Sequence, residues 1–189
     1  MEQSKEQVYT EYLVLRCQED DREAFGELVK LWQHPLEKFT LRMTGVPSAV
    51  QDIMQDAWIA VARQLNGLRE PVFFKRWIYR IVSNKCVDWV RKQERARKFR
   101  KDYEENVIVN NHPIHHAVPG NESLDIVRDA LAKLPWDQRL LVNLYYIDGF
   151  SLAEISYSLG IPEGTVKSRL FRVRKDLKIL IEREEKRHE

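Results

Sequence analysis

Apolar residues recur along this chain at helical spacing, and the pattern is sharpest from Ser151 to Lys178, SLAEISYSLGIPEGTVKSRLFRVRKDLK. Ser151 and Glu154 form an S-x-x-E capping box, in which each side chain satisfies an orphan amide at a helix start. Leu152, Ile155 and Leu159 follow as an apolar stripe, and Gly160 closes the helix where a left-handed residue is needed. Ile161 turns the chain inward, and Pro162, with its fixed φ and missing N–H, suits the first turn of a second helix. A step of about 100° per residue then brings Val166, Leu170, Val173 and Leu177 within about 40° of one line, the predicted buried face. The opposite face carries Gly164, Lys167, Ser168, Phe171, Arg172 and Lys175, with Arg169 and Arg174 on its flanks and no carboxylate before Asp176.

Two short helices about a tight turn, the second basic on its outer face, predict a helix-turn-helix whose second helix enters the DNA major groove. Arginine and lysine neutralise phosphates or read guanine, a small residue permits close approach, and an aromatic ring meets a thymine methyl. The plainer alternative is a solvated amphipathic helix with a chance basic run. Cap, turn and face together argue against it.

The same period runs through the rest of the chain. Val8 to Gln18 reads as a first helix, broken by Glu19-Asp20-Asp21. A second runs from Arg22 to about Gln33 with Phe25, Leu28, Val29 and Trp32 as its stripe. Pro35 is expected to kink or restart it before it reaches Met43 and ends at Thr44-Gly45-Val46-Pro47. Ser48 and Gln51 read as another capping box, opening a helix to Leu65 that buries Ile53, Met54, Ala57, Trp58, Val61 and Leu65; Asn66-Gly67 stops it. Arg69 to Phe73 is a loop. Phe74 to about Lys101 is again helical, with Phe74, Ile78, Ile81, Val82 and Trp89 on its core side. Arg76, Arg80, Ser83, Asn84 and Arg91 share the other side, beside Trp77 and Tyr79, with Val87 an apolar exception. Arginines interleaved with aromatics suit stacking of unpaired bases along a phosphate track, although Trp77 and Tyr79 read equally as core aromatics. From Arg91 to Lys101 the helix turns strongly basic, a phosphate contact if it lies with a DNA-reading surface. Asp102 to Asn121 loses apolar periodicity and reads as a linker. Ser123 is expected to cap a helix through Leu134, and Pro135-Trp136 to start one ending at Ile147-Asp148-Gly149.

Composition narrows the classes. With 189 residues, 43% hydrophobic and 32% charged, the chain is expected to be globular; with only 7 glycines and helical periodicity throughout, it is expected to be all-α. No signal peptide and no apolar run of ~18 residues stand in it, so a cytoplasmic protein without membrane insertion is expected. Cys17 and Cys86 lack C-x-x-C spacing and read as free, buried or half-buried thiols. His112, His115 and His116 lack partner ligands at metal-binding spacing, and Pro113 interrupts them, so neither metal nor cofactor is expected. Asp52, Gln55 and Asp56 sit close together early in their helix. They suit the helix dipole, or a docking patch for a basic partner helix; a catalytic or metal role lacks a completing ligand.

These residues resemble a known family, the small extracytoplasmic-function type of bacterial RNA polymerase sigma factors, over nearly the whole chain. EAFGELVKLW with LRMTG is similar to the start of that family's first conserved domain, and VQDIMQDAWIAVAR to the segment that docks on the polymerase clamp helices. FKRWIYRIVSNKCVDWVRK resembles the segment that melts and reads the −10 element, and LPWDQRLLVNLYYIDGFSLAEISYSLGIPEGTVKSRLFRVRK the domain that reads the −35 element. The resemblance implies two helical domains, 1–101 and 123–189, joined by a flexible linker at 102–122, the second a helix-turn-helix domain. It implies that Asp52, Gln55 and Asp56 dock on the clamp helices of core polymerase. Arg76, Trp77, Arg80, Ser83, Asn84 and Arg91 would meet the −10 element, with Asn84 and the Gly67–Phe74 loop holding a flipped base. Gly164, Lys167, Ser168, Arg169, Phe171, Arg172, Arg174 and Lys175 would meet the −35 element. The expected partners are core RNA polymerase and promoter DNA, with an anti-sigma factor a further partner the family admits.

Two departures stand out: Asp56 stands where many relatives carry glutamate, so a shorter or weaker docking contact is expected, and the Arg69–Phe74 segment lacks the serine- and glycine-rich character common there, which leaves the −10 base preference open. A stand-alone helix-turn-helix regulator is the alternative function. A metal-dependent nuclease built on Asp52, Asp56 and the linker histidines lacks a convergent ligand set.

Overall fold

The computed structural model describes residues 4–101 and 122–188, which divide between two compact units, Met1–Asn110 and Asn111–Glu189. Every regular element among the described residues is helical. In the first unit α1 (Lys5–Gln18), α2 (Arg22–Thr44), α3 (Pro47–Gln64) and α4 (Phe74–Lys101) surround one core, with short 3₁₀ turns at Leu65–Gly67 and Pro71–Phe73 joining α3 to α4. The second unit holds α5 (Glu122–Lys133), α6 (Trp136–Val142), a π-helical turn (Asn143–Ile147), α7 (Leu152–Leu159) and α8 (Glu163–His188).

α1 starts at a Ser4 cap whose hydroxyl accepts from Gln7 N at 3.2 Å, earlier than the apolar stripe indicated. Asp21 caps α2 by accepting from Glu23 N and Ala24 N at 2.9 and 3.0 Å. α2 then passes through Pro35 as one helix, so the expected restart does not occur: Leu28, Trp32, Leu36 and Phe39 are buried on both sides of the proline, and their shared stripe holds the helix together. Gly45, at φ 68°, supplies its left-handed stop.

The expected Ser48–Gln51 capping box is absent. Pro47 already occupies the first helical position, Val46 is the cap residue and offers no side-chain bond, and Ser48 therefore lies inside α3. Ser123 likewise lies inside α5, which already includes Glu122. The helix opened by Trp136 ends as an α-helix at Val142; the wider turn carries the chain to Ile147.

In the first unit's core Trp32 packs edge-on to Phe74 and Tyr79, and Tyr79 to Phe39, with centroids 5.7, 6.5 and 5.0 Å apart. Trp32 Nε1 donates to the buried Thr10 hydroxyl at 3.2 Å, so its one polar atom is satisfied. Cys17 and Cys86 are buried free thiols. In the second unit Leu134, Val142 and Val173 form a core cluster, flanked by Leu131, Leu177 and Leu180. Among the described residues no helix is long and apolar enough to cross a membrane.

Candidate nucleic-acid interface

The capping box on α7 forms as expected: Glu154 N donates to Ser151 Oγ at 3.2 Å, and Ser151 N donates to Glu154 Oε2 at 2.8 Å. Gly160, at φ 66°, ends α7, and Ser156 Oγ bridges the turn by donating to Ile161 O at 2.6 Å. Pro162 stands just before α8 rather than within it; its carbonyl accepts from Thr165 N and Val166 N at 2.9 and 3.1 Å. Val166, Leu170 and Val173 are buried and Leu177 half-buried, so one apolar line seats α8 on the unit's core.

That seating turns the opposite face of α8, from Gly164 to Lys175, outward. Gly164, Lys167, Ser168, Arg169, Phe171, Arg172, Arg174 and Lys175 are all exposed, and Phe171 keeps 58% of its surface open. The Lys175 ammonium lies 5.2 Å from the Phe171 ring centre, a cation–π contact that holds aromatic and charge together. Ser168 Oγ donates back to Thr165 O at 3.0 Å. A Cβ built on Gly164 would meet no atom within 4 Å, so the fold itself does not demand a glycine there. Arg174 is tied: Nε donates to the Tyr146 hydroxyl, and the guanidinium carbon stands 5.8 Å from that ring's centre. Tyr146 belongs to the π-helical turn, 28 positions away in sequence.

On α4 the predicted face splits. Arg80, Asn84 and Arg91 are exposed, while Arg76 and Trp77 are half-buried, the Arg76 guanidinium 3.2 Å from the Phe73 ring centre and Trp77 tilted against Phe74. Ser83 is corrected. It is only 3% exposed and lies in the core, because α4 packs against α1, α2 and α3 and buries an arc wider than one stripe. Tyr79, also 3% exposed, is a core aromatic and not a stacking platform. The side chains at 97–101, which end the basic tail, and the histidines at 112, 115 and 116 lie outside the described residues.

Between α3 and α4 the chain exposes Arg69, Glu70 and Val72, while Leu65 and Leu68 are buried beneath. Gln18, the last residue of α1, donates from Nε2 to Leu65 O at 3.0 Å and to Leu68 O at 2.7 Å. On α3, Asp52, Gln55 and Asp56 are exposed at i, i+3 and i+4, one solvent-facing patch opposite the buried Ile53, Met54 and Ala57. No group of three or more histidines, cysteines or carboxylates among the described residues could hold a metal ion. Gln18 and Tyr146 escaped the sequence reading because each acts across a fold contact, with no local motif to signal it.

Residues 28–96 match the family described as Sigma-70 region 2, and residues 124–177 the family described as Sigma-70, region 4. The chain is 33% identical over 181 residues to the ECF RNA polymerase sigma-E factor of Escherichia coli (strain K12), covering 89% of this chain and 92% of that protein. It is 30% identical over 177 residues to the corresponding factor of Haemophilus influenzae, covering 89% and 93%. Among solved structures it is similar to the sigma factor RpoE in complex with the anti-sigma factor NepR from Bartonella quintana, with a TM-score of 0.68 at 25% identity, over 84% of this chain and 96% of that one. It is also similar to CnrH in complex with the cytosolic domain of CnrY, with a TM-score of 0.67 at 26% identity, over 92% and 97%.

Proposed function

We propose a division of labour among three surfaces from one premise: the chain belongs to the extracytoplasmic-function (ECF) sigma factors of RNA polymerase. It is a regulatory initiation factor that directs core polymerase to promoters and assists their melting. The stand-alone regulator is not favoured, because both units match sigma-factor families and the relatives are covered almost from end to end.

The second unit, from about residue 123, reads the −35 element through α8. The observation that carries this is the outward face of α8 between Gly164 and Lys175, basic and aromatic without a carboxylate, set opposite the buried line of Val166, Leu170 and Val173. Lys167, Ser168, Phe171 and Arg172 contact bases, with open space at Gly164 allowing close approach. Arg169, Arg174 and Lys175 contact phosphates. The first unit, to about residue 101, docks core polymerase through Asp52, Gln55 and Asp56 and handles the −10 element through Arg76, Trp77, Arg80, Asn84 and Arg91. Asn84 and the turn at 67–74 receive a flipped base. Residues 102–122 link the two. The reaction chemistry stays with the polymerase, so the chain acts in the cytoplasm as a binding subunit without a catalytic site of its own. An anti-sigma partner that covers these surfaces is expected, as NepR partners its sigma factor.

Run-off transcription with purified core polymerase and a panel of two-element promoters tests the assignment. Discrete transcripts that depend on the added chain are expected. Tight, specific duplex binding without polymerase, and no transcript with it, would return the protein to the stand-alone class.

A further inference from the structure

We infer that Gln18 is a positioning residue for base capture: its carboxamide fixes the main chain of the turn at 65–73, so that the turn is preset to receive one unpaired promoter base. This rests on the −10 assignment above and names a residue, at the end of a different helix, on which that assignment depends.

Two carbonyl oxygens converge on one nitrogen, Leu65 O at 3.0 Å and Leu68 O at 2.7 Å. Carbonyls only accept, so the group between them must donate twice, and a neutral primary amide has two N–H bonds on one atom. The Leu65 carbonyl also accepts from Leu68 N at 3.0 Å, which closes the 3₁₀ turn. Gln18 therefore braces the turn from outside, and it gives Leu68 O a partner within the protein.

The rest of the segment is anchored by different means. Leu65 and Leu68 bury their side chains, at 3% and 5% exposure. At the far end Phe73 N donates to Glu70 O at 3.0 Å, the Arg76 guanidinium covers the Phe73 ring, and Phe74 is fully buried. Between these feet Arg69, Glu70 and Val72 are exposed. Buried leucines fix where the turn sits but not the rotation of its peptide planes, because apolar contact is non-directional. Two hydrogen bonds to carbonyls three residues apart, at either end of the first turn, do fix that rotation. A base read at the turn needs that control, since polar recognition is lost when groups stray by about 0.5 Å.

Two isosteric changes separate this role from simple stability. Gln18→Met keeps length and burial but donates nothing; Gln18→Glu keeps shape and turns a carboxylate towards two carbonyls. Each variant, with Asn84→Ala beside it, is assembled with core polymerase and challenged with randomised single-stranded DNA about 12 nucleotides long. The bound strands are sequenced. The wild-type complex is expected to enrich one base strongly at one position. Both Gln18 variants should lower that enrichment roughly tenfold, the scale of two modest hydrogen bonds, and leave the other positions within about twofold. Core association and duplex −35 binding should be unchanged. Wild-type enrichment in both variants, alongside flattening by Asn84→Ala, overturns the role of Gln18 alone. Enrichment untouched by Asn84→Ala overturns the −10 assignment and this inference with it. Loss at every position together, or failure of both variants to fold, makes Gln18 a structural residue and also overturns it.

Discussion

Arg172 and Arg174 lie on the same exposed stretch of α8, yet the structure gives them different environments, and the difference has a measurable consequence. Arg172 is exposed and has no hydrogen-bond or ion-pair partner among the described residues, which leaves its guanidinium available to a base edge. Arg174 is held sideways by the Tyr146 hydroxyl and ring, on the flank that we assign to phosphate contact. Replacing Arg172 by alanine should cost ~1–3 kcal/mol at one −35 position, the worth of a bidentate guanine contact. The loss should disappear when that base pair is changed. Replacing Arg174 should act through counterion release instead. One fewer phosphate contact lowers the slope of log K against log salt by about 0.9, which between about 1 M and 0.15 M salt amounts to roughly fivefold, or ~1 kcal/mol, on every sequence alike. The assay is fluorescence anisotropy of the polymerase complex on −35 duplexes, as a salt titration and as a scan of single base-pair changes. Equal, sequence-blind losses from both substitutions would refute the assignment of Arg172 to base reading. An unchanged salt slope in Arg174→Ala would refute the phosphate contact.

Converting Asp52 and Asp56 together to lysine should leave the helical circular dichroism intact and abolish co-purification with core polymerase; normal co-purification would return both carboxylates to a helix-dipole role. Tyr146→Phe removes the hydroxyl acceptor but keeps the ring beside Arg174, so affinity for all −35 sequences should fall by less than in Arg174→Ala; a loss confined to one base pair would contradict it. Burial pushes the Cys17 thiol up to about 11 and the Cys86 thiol up to about 12, whereas an unfolded thiol ionises near ~8.5. The folded chain therefore keeps protons that the unfolded chain releases, and stability should fall as pH rises through that window. Urea midpoints for the wild type and Cys86→Ala test it: the alanine variant should lose less between pH ~8 and ~10, and identical losses would count against burial as the cause.

The helix-turn-helix was legible because its signals are local. Ser151, Glu154 and Gly160 sit within ten positions, and each acts on backbone groups of its own helix. Val166, Leu170 and Val173 showed their burial for the same reason, since one helix meeting one core leaves a narrow stripe. α4 was harder to read. Three neighbouring helices cover it, so its buried arc includes Tyr79 and Ser83, which a single-stripe wheel places outside. Ser48 carried a plausible cap motif, but Pro47 can begin a helix two residues sooner and did so. Pro35 showed the reverse error for one of its two expected outcomes: a local rule allowed a restart, and burial on both sides of the proline kept the helix continuous. Gln18 and Tyr146 left no trace in any window, because their partners lie 47, 50 and 28 positions away.

The π-helical turn at Asn143–Ile147 bears on which length changes the second unit can absorb. Asp148 N reaches back five residues, to Asn143 O at 2.9 Å, where an α-helix would reach back four. Such a turn is geometrically an α-helix with one residue inserted, so it marks a place where a single codon can be lost without breaking the helix. Deletion of one residue there would let α6 continue in regular geometry while turning Tyr145 and Tyr146 by about 100° about the axis. The unit should then still fold, but Tyr146 would leave Arg174 behind. A one-residue change of length at this turn is thus a route by which affinity at the proposed −35 surface shifts while the residues of α8 stay the same.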